Sequence, residues 1–256
     1  MGDTISCAAL YFKPNAIEGV PSKWVESAVR ILSNAHLYPQ ELSLETKDKN
    51  ESSVFEFAAY RTTLMQEAAK KNLNVVGLYS NPNRSKGLVL DWRALAYIDI
   101  GRGNCFLGLP QSVESAPSVV LHSLHLLTEE FLPVDYGIGY YFQSSSGPDF
   151  FAVGIIANPA RFDTEAMAEG DRVAKWGYEM DGPRRYLAGW FRDAYPANIL
   201  SQLHMDARVG DGGLLRDAGV GDFFPMGEGT WSWEILERDI PRARELLRQT
   251  GRVICL

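Results

Sequence analysis

Apolar positions in this chain fall into short runs separated by glycine, proline and asparagine, and the stretch 95–156 sets the pattern for the rest. Residues 95–100 and 105–109 are two apolar runs parted by Gly101-Arg102-Gly103-Asn104. That is the punctuation of a β-hairpin, where glycine and asparagine supply positive φ at little steric cost. A helix is predicted next, with Pro117 near its start and Val120, Leu124, Leu127 and Phe131 along one side before Pro133 closes it. Two further strand-like runs, 138–142 and 150–156, flank the turn Ser144-Ser145-Ser146-Gly147. Strand, strand, helix, strand, strand with short links describes an α+β core.

Upstream, residues 5–12 read as a strand, and Ser22 is placed to cap a helix with Trp24, Ala28, Ile31 and Ala35 on its apolar face. Residues 41–53 are polar, a short strand and then an exposed loop. Ser53-Val54-Phe55-Glu56 fits a capping box ahead of a helix presenting Phe57, Tyr60, Leu64 and Ala68. Residues 75–79 and 87–90 are strand-like around the turn Asn81-Pro82-Asn83. Downstream, Asn158-Pro159 breaks the sheet, Asp163 is placed to cap a helix running to about Trp176, and 186–190 is strand-like. The stretch 204–229 holds seven glycines and five acids, which predicts a long connection without regular structure. Residues 230–236 return to strand composition with Trp231, Trp233 and Ile235 on one face. Asp239 then caps a last helix, with Pro241 in its first turn and Gly251 beyond its end. The pattern predicts an α+β fold. Its sheet is mixed or largely antiparallel, with helices packed on its faces, in a single domain spanning 1–256. Any seam between two lobes falls around 158–185.

Composition narrows the partners. The 256-residue chain is 46% hydrophobic, enough to bury a sizeable core, and its net charge of −7 argues against nucleic acid or an anionic membrane as a direct partner. Its first residues lack the basic and apolar regions of a secretory signal, and no window reaches the roughly 18 apolar residues of a membrane span. Three widely spaced cysteines, Cys7, Cys105 and Cys255, suggest free thiols in a reducing compartment, so a cytosolic protein is expected.

Few residues in the chain carry candidate chemistry. His122, His125 and Glu129 share a narrow stripe of the third helix, as two histidines and a carboxylate binding a metal would. That stripe lies opposite the apolar one, however, where a helix needs its polar face, and neither HExxH nor its inverse is present. Glu45-Thr46-Lys47 matches the E-x-K fragment of restriction-type nucleases but lacks an acidic partner strand. Gly137-Ile138-Gly139 and Gly210-Asp211-Gly212 do not extend to a phosphate-binding loop. Cys105, at the start of a strand, reads as a buried small hydrophobe. No catalytic residue, metal ligand or cofactor is expected, and what remains is surface.

Three strings carry a resemblance. Trp190-Phe191-Arg192-Asp193-Ala194-Tyr195-Pro196-Ala197-Asn198-Ile199-Leu200-Ser201, then Gly229-Thr230-Trp231-Ser232-Trp233-Glu234, then Asp239-Ile240-Pro241 resemble the immunity protein fifty-two family of bacterial polymorphic and type VI secretion toxin systems. The likeness covers the last quarter of the chain in detail and the remainder by length and element order. It implies a non-catalytic α+β protein that binds and blocks a cognate effector toxin in the cytosol, the toxin being a restriction-endonuclease-like DNase. A nuclease offers basic residues to phosphate, so a protein covering that surface gains from carboxylates. Asp206, Asp211, Asp217, Asp222 and Glu228 would supply them, with Phe223 and Phe224 as apolar anchors. The rival readings are a metal-dependent enzyme built on His122, His125 and Glu129, and an adaptor with no toxin partner.

Overall fold

In the computed structural model, which describes residues 4–48, 52–80, 83–85, 88–154, 164–181, 187–227 and 229–254, β1 (Thr4–Phe12) alternates between two buried layers. Ala8, Leu10 and Phe12 point to one, and Ile5, Cys7, Ala9 and Tyr11 to the other. An antiparallel sheet commonly leaves one face to water and reads as alternating apolar and polar. Here both faces are covered, which is why the central strands read as unbroken apolar runs.

The chain continues through α1 (Ser22–Asn34), β2 (Glu41–Thr46), β3 (Ser53–Glu56), α2 (Phe57–Ala69), β4 (Leu73–Ser80), β5 (Asn83–Ser85) and β6 (Leu88–Asp91). The predicted hairpin follows as β7 (Ala94–Asp99) and β8 (Asn104–Pro110), then α3 (Pro117–Thr128), β9 (Val134–Gln143), α4 (Pro148–Ala152) and α5 (Thr164–Asp181). The last part holds β10 (Ala197–Ser201), α6 (Gln202–Met205), β11 (Arg208–Val209), β12 (Gly213–Leu214), β13 (Asp222–Gly227), β14 (Thr230–Glu234) and α7 (Ile240–Thr250). Ten strands form one sheet in the order β13-β14-β10-β9-β1-β8-β7-β4-β2-β3, and every neighbouring pair is antiparallel. Helices α1, α2 and α3 cover one face through Trp24, Leu32, Leu64, Val120, Leu124 and Leu127. The other face is covered by Phe151, Phe191, Met205, Ala243 and Leu247, carried by α4, the segment before β10, α6 and α7. The expected α+β class and antiparallel sheet are what the chain adopts.

Gly139 on β9 has a packing role. A Cβ there would lie 2.8 Å from the Pro117 carbonyl oxygen, so the missing side chain lets the start of α3 settle onto the strand.

Several local expectations give way to tertiary pairing. Residues 53–56 form no capping box: they are β3, an edge strand paired with β2 from Leu44↔Ser53 to Glu41↔Glu56, and α2 starts behind them without a side-chain cap. Pairing with β2 engages the backbone that a capping box would have needed. Ser22 is the first residue of α1 rather than its cap, since Pro21 occupies that position. The strand expected over 150–156 is instead the short helix α4, where described. Gly147, at φ 69°, turns the chain, Pro148 starts the helix, and Phe151 stacks on Phe142 with ring centroids 4.7 Å apart. Residues 187–190 make a turn closed by Trp190 N–H to the Leu187 carbonyl (3.0 Å), and Phe191 forms a single parallel bridge to Val253. The stretch 204–229 is not an unstructured connection, because α6, the β11–β12 hairpin and β13 fill most of it. The turn residues Asn81 and Pro82, the breaker Asn158-Pro159 and the cap Asp163 lie outside the described residues.

The third helix also departs from expectation. His125 belongs to no solvated polar face: it is 4% exposed, with Nδ1 3.7 Å from Glu129 Oε2, and burial lowers its pKa. The exposed side of α3 instead carries Val119 and Leu126. His122 turns toward β14, with Nε2 3.2 Å from Ser232 Oγ.

Candidate functional site

The string Arg192-Asp193-Ala194-Tyr195-Pro196 leads into β10, and its side chains build a buried polar cluster beneath the second layer. Asn198 holds its local shape, donating from Nδ2 to the carbonyls of Tyr195 (2.8 Å) and Trp233 (3.3 Å). Arg192 is 1% exposed, and its Nε donates to Glu169 Oε1 at 2.7 Å. Nη1 donates to the Ala152 carbonyl (2.6 Å) and Tyr11 Oη (3.2 Å), and Nη2 to the Phe151 carbonyl (2.7 Å). The guanidinium lies over the Phe151 ring, 4.5 Å from its centroid. Tyr195 donates its hydroxyl to the same Glu169 oxygen. Removing one partner of such a buried pair leaves an uncompensated charge and costs about 3–5 kcal/mol.

Asp193 makes a second pair, accepting from Arg244 Nε at 3.0 Å on Oδ1 and from Nη2 at 2.8 Å on Oδ2. Burial still raises its pKa, against the lowering effect of Arg244. The two pairs tie α5, the segment before β10 and α7 together.

Beside this cluster is an open cleft of about 470 Å³. It exists because β9 outruns its neighbour: β10 pairs with β9 only from Leu200↔Tyr136 to Ala197↔Gly139, and Pro196 then leads away. Tyr140, Tyr141 and Phe142 of the β9 extension line the cleft. Glu237, in the short 3-10 turn before α7, and Ile240, the first residue of α7, also line it, as do Glu169 and Tyr195. Tyr141 is 37% exposed, and its pKa is raised by partial burial and by Glu237.

The fold is shared with a type VI secretion protein. The T6SS protein PA0821 of Pseudomonas aeruginosa superposes with a TM-score of 0.54 over 99% of this chain and 78% of its own, at 14% identity. At that identity the likeness concerns the fold alone. The chain matches no protein-family model and no curated protein.

The residues named from sequence as toxin contacts separate into two groups. Asp222 and Phe224 lie on β13, the outermost strand, and register places them opposite Glu234 and Ser232, on the face that His122 approaches. Asp222 is exposed, and so is Phe224, at 49%. Phe223 points the other way and stacks on Trp233, 5.4 Å between centroids and 9° between planes. Trp233 is fully buried and donates its indole N–H to the Val220 carbonyl (2.8 Å). Asp206, at the end of α6, accepts from Gln202 Nε2 (2.8 Å); Asp211 and Asp217 are exposed on the layer that covers the α7 face. Glu228 lies outside the described residues.

No group of three His, Cys, Asp or Glu side chains among the described residues is placed to hold a metal ion. His122 and His125 turn to different neighbours, and Glu45 accepts from Asn74 Nδ2 at 3.2 Å. Cys7 and Cys105 are free, buried thiols whose pKa values burial raises, the opposite of an activated nucleophile. No helix among the described residues is long and apolar enough to cross a membrane.

The cleft is the feature that sequence reasoning missed. Its motif was visible, but Glu169 lies 23 residues before Arg192 and Tyr11 lies 181 residues before it, and no spacing rule joins them.

Proposed function

We propose that this protein is a cytosolic immunity protein that binds a type VI secretion nuclease toxin and blocks it by covering its active or DNA-facing surface. The observation that carries the reading is the fold shared with a T6SS protein across nearly the whole chain. Two features support it. Arg192, Asp193 and Tyr195, in the string that resembles immunity proteins, are engaged in structural bonds, as suits a binding protein without catalysis. The net charge of −7 complements a DNA-binding partner.

In this reading the partner is a restriction-endonuclease-like DNase. The chain contributes no catalytic step and takes no cofactor, and it contacts neither nucleic acid nor membrane. Asp206, Asp211, Asp217, Asp222 and Glu228 supply the negative field, and Phe224 supplies the apolar contact. Purified chain mixed with its candidate effector, a restriction-endonuclease-like DNase, should form a stable complex and abolish DNA cleavage at near-equimolar ratio. Cleavage that persists with this chain in excess would refute the reading.

A further inference from the structure

We propose that the cleft between the β9 extension and α7 receives a guanidinium group, the side chain of an arginine presented by a basic protein partner. The walls supply what a guanidinium needs. Tyr141 and Phe142, both partly exposed, offer aromatic surface for a flat cation to stack on, and the exposed Glu237, whose charge acts on Tyr141, also lines the cleft.

The protein already binds a guanidinium by this chemistry next to the cleft, through Glu169 and Phe151, which also line it. Arg192 sits over Phe151 with one carboxylate, one tyrosine hydroxyl and two main-chain carbonyls around it. Phe151 also lines the cleft and stacks on Phe142, so one aromatic cluster faces both the internal arginine and the opening.

Charge decides the sign of the ligand. Arg192 is matched by Glu169, and Arg244, which lines the cleft and is partly exposed, is held on two donors by Asp193, so each cation is already balanced by a carboxylate. Glu237, exposed at the rim, has no ion-pair partner among the described residues. The site therefore presents a net carboxylate beside aromatic walls. Lysine would satisfy the charge, but its compact, strongly hydrated ammonium gains less from stacking and from several acceptors at once.

The identity of the partner rests on the reading above, whereas the chemistry of the cleft does not, and the test keeps them apart. The full chain is titrated with N-acetyl-arginine amide and, separately, with N-acetyl-citrulline amide, which keeps the shape and removes the charge. Amide resonances are followed by NMR. Saturable shifts centred on Tyr141, Tyr195 and Glu237 are expected with the arginine probe, with citrulline binding at least about fivefold weaker. Glu237→Gln should weaken the arginine probe about three- to fivefold while leaving the melting temperature unchanged, because Glu237 is exposed. Equal response to citrulline, shifts located elsewhere, or indifference to Glu237→Gln would overturn the proposal. That failure would leave nuclease inhibition to be judged by its own assay. A chain that takes the arginine probe yet fails to inhibit the candidate nuclease would instead refute the toxin reading.

Discussion

His204 is a titratable ring held neutral inside the second layer. Its Nδ1 accepts the Ser201 backbone N–H at 3.1 Å, its Nε2 donates to the Trp190 carbonyl at 3.1 Å, and the ring stacks on Tyr136, 5.3 Å between centroids. Burial drives its pKa from 6.5 down to about 4. The unfolded chain therefore takes up this proton first as the pH falls. The ring's contribution is fully present above 6.5 and is lost toward pH 4, by up to about 3 kcal/mol. Asp149 works in the opposite sense over a similar interval, since burial raises its pKa to about 6. Wild type alone would therefore blur the two effects, and a comparison with His204→Asn separates them. The difference in melting temperature between the two chains should be largest at pH 7.5 and shrink by pH 4.5. A constant difference would show that the histidine does not titrate as its burial requires.

At the scale of the element, β13 separates two residues that look alike in sequence. Alternation sends Phe223 onto Trp233 and leaves Phe224 on the opposite, exposed side. Phe223→Ala should lower stability by about 2 kcal/mol, the loss expected for a half-buried aromatic stacked on a core tryptophan, and leave dissociation of the proposed toxin complex unchanged. Phe224→Ala should leave the melting temperature alone and speed dissociation, by roughly 1–3 kcal/mol if the ring is a central anchor. Thermal melts and binding kinetics on the same two variants check both statements; loss of stability in both would place Phe224 in the fold rather than at the interface. Pro225 fits the same strand, since proline removes a donor and helps keep an edge from pairing with another chain.

Across the whole molecule, charge acts differently from contact. Asp222 lies at the sheet edge on the α3 side, while Asp211 and Asp217 belong to the layer over the other face. A partner docked on one side would touch one group and still feel the field of both. Changing Asp211, Asp217 and Asp222 together to Asn should therefore slow association and flatten its salt dependence, with dissociation little altered. Stopped-flow association across a range of salt concentrations reads this directly. Unchanged rates would remove these acids from any steering role.

Local order fixed part of this protein in advance. The β7–β8 hairpin follows from two apolar runs around Gly101–Asn104, and α3 from its proline start and apolar spacing, because a turn's φ values and a helix's period act over a few residues. The α+β class followed from that order of elements. Other outcomes depended on partners distant in sequence. Ser53–Glu56 became a strand because β2 was there to pair with, and His125 was buried although its helix predicted a solvated face. The stretch 204–229 looked unstructured because its strands are short and glycine-rich, yet β14 supplies the hydrogen bonds that order β13. The cleft is the extreme case. It arises from the mismatch in length between β9 and β10, and its buried arginine draws on Tyr11, Ala152 and Glu169, which only folding brings together. Short-range sterics and periodicity are written in neighbouring residues, whereas the pairing of buried charges is decided by which distant segments pack against one another.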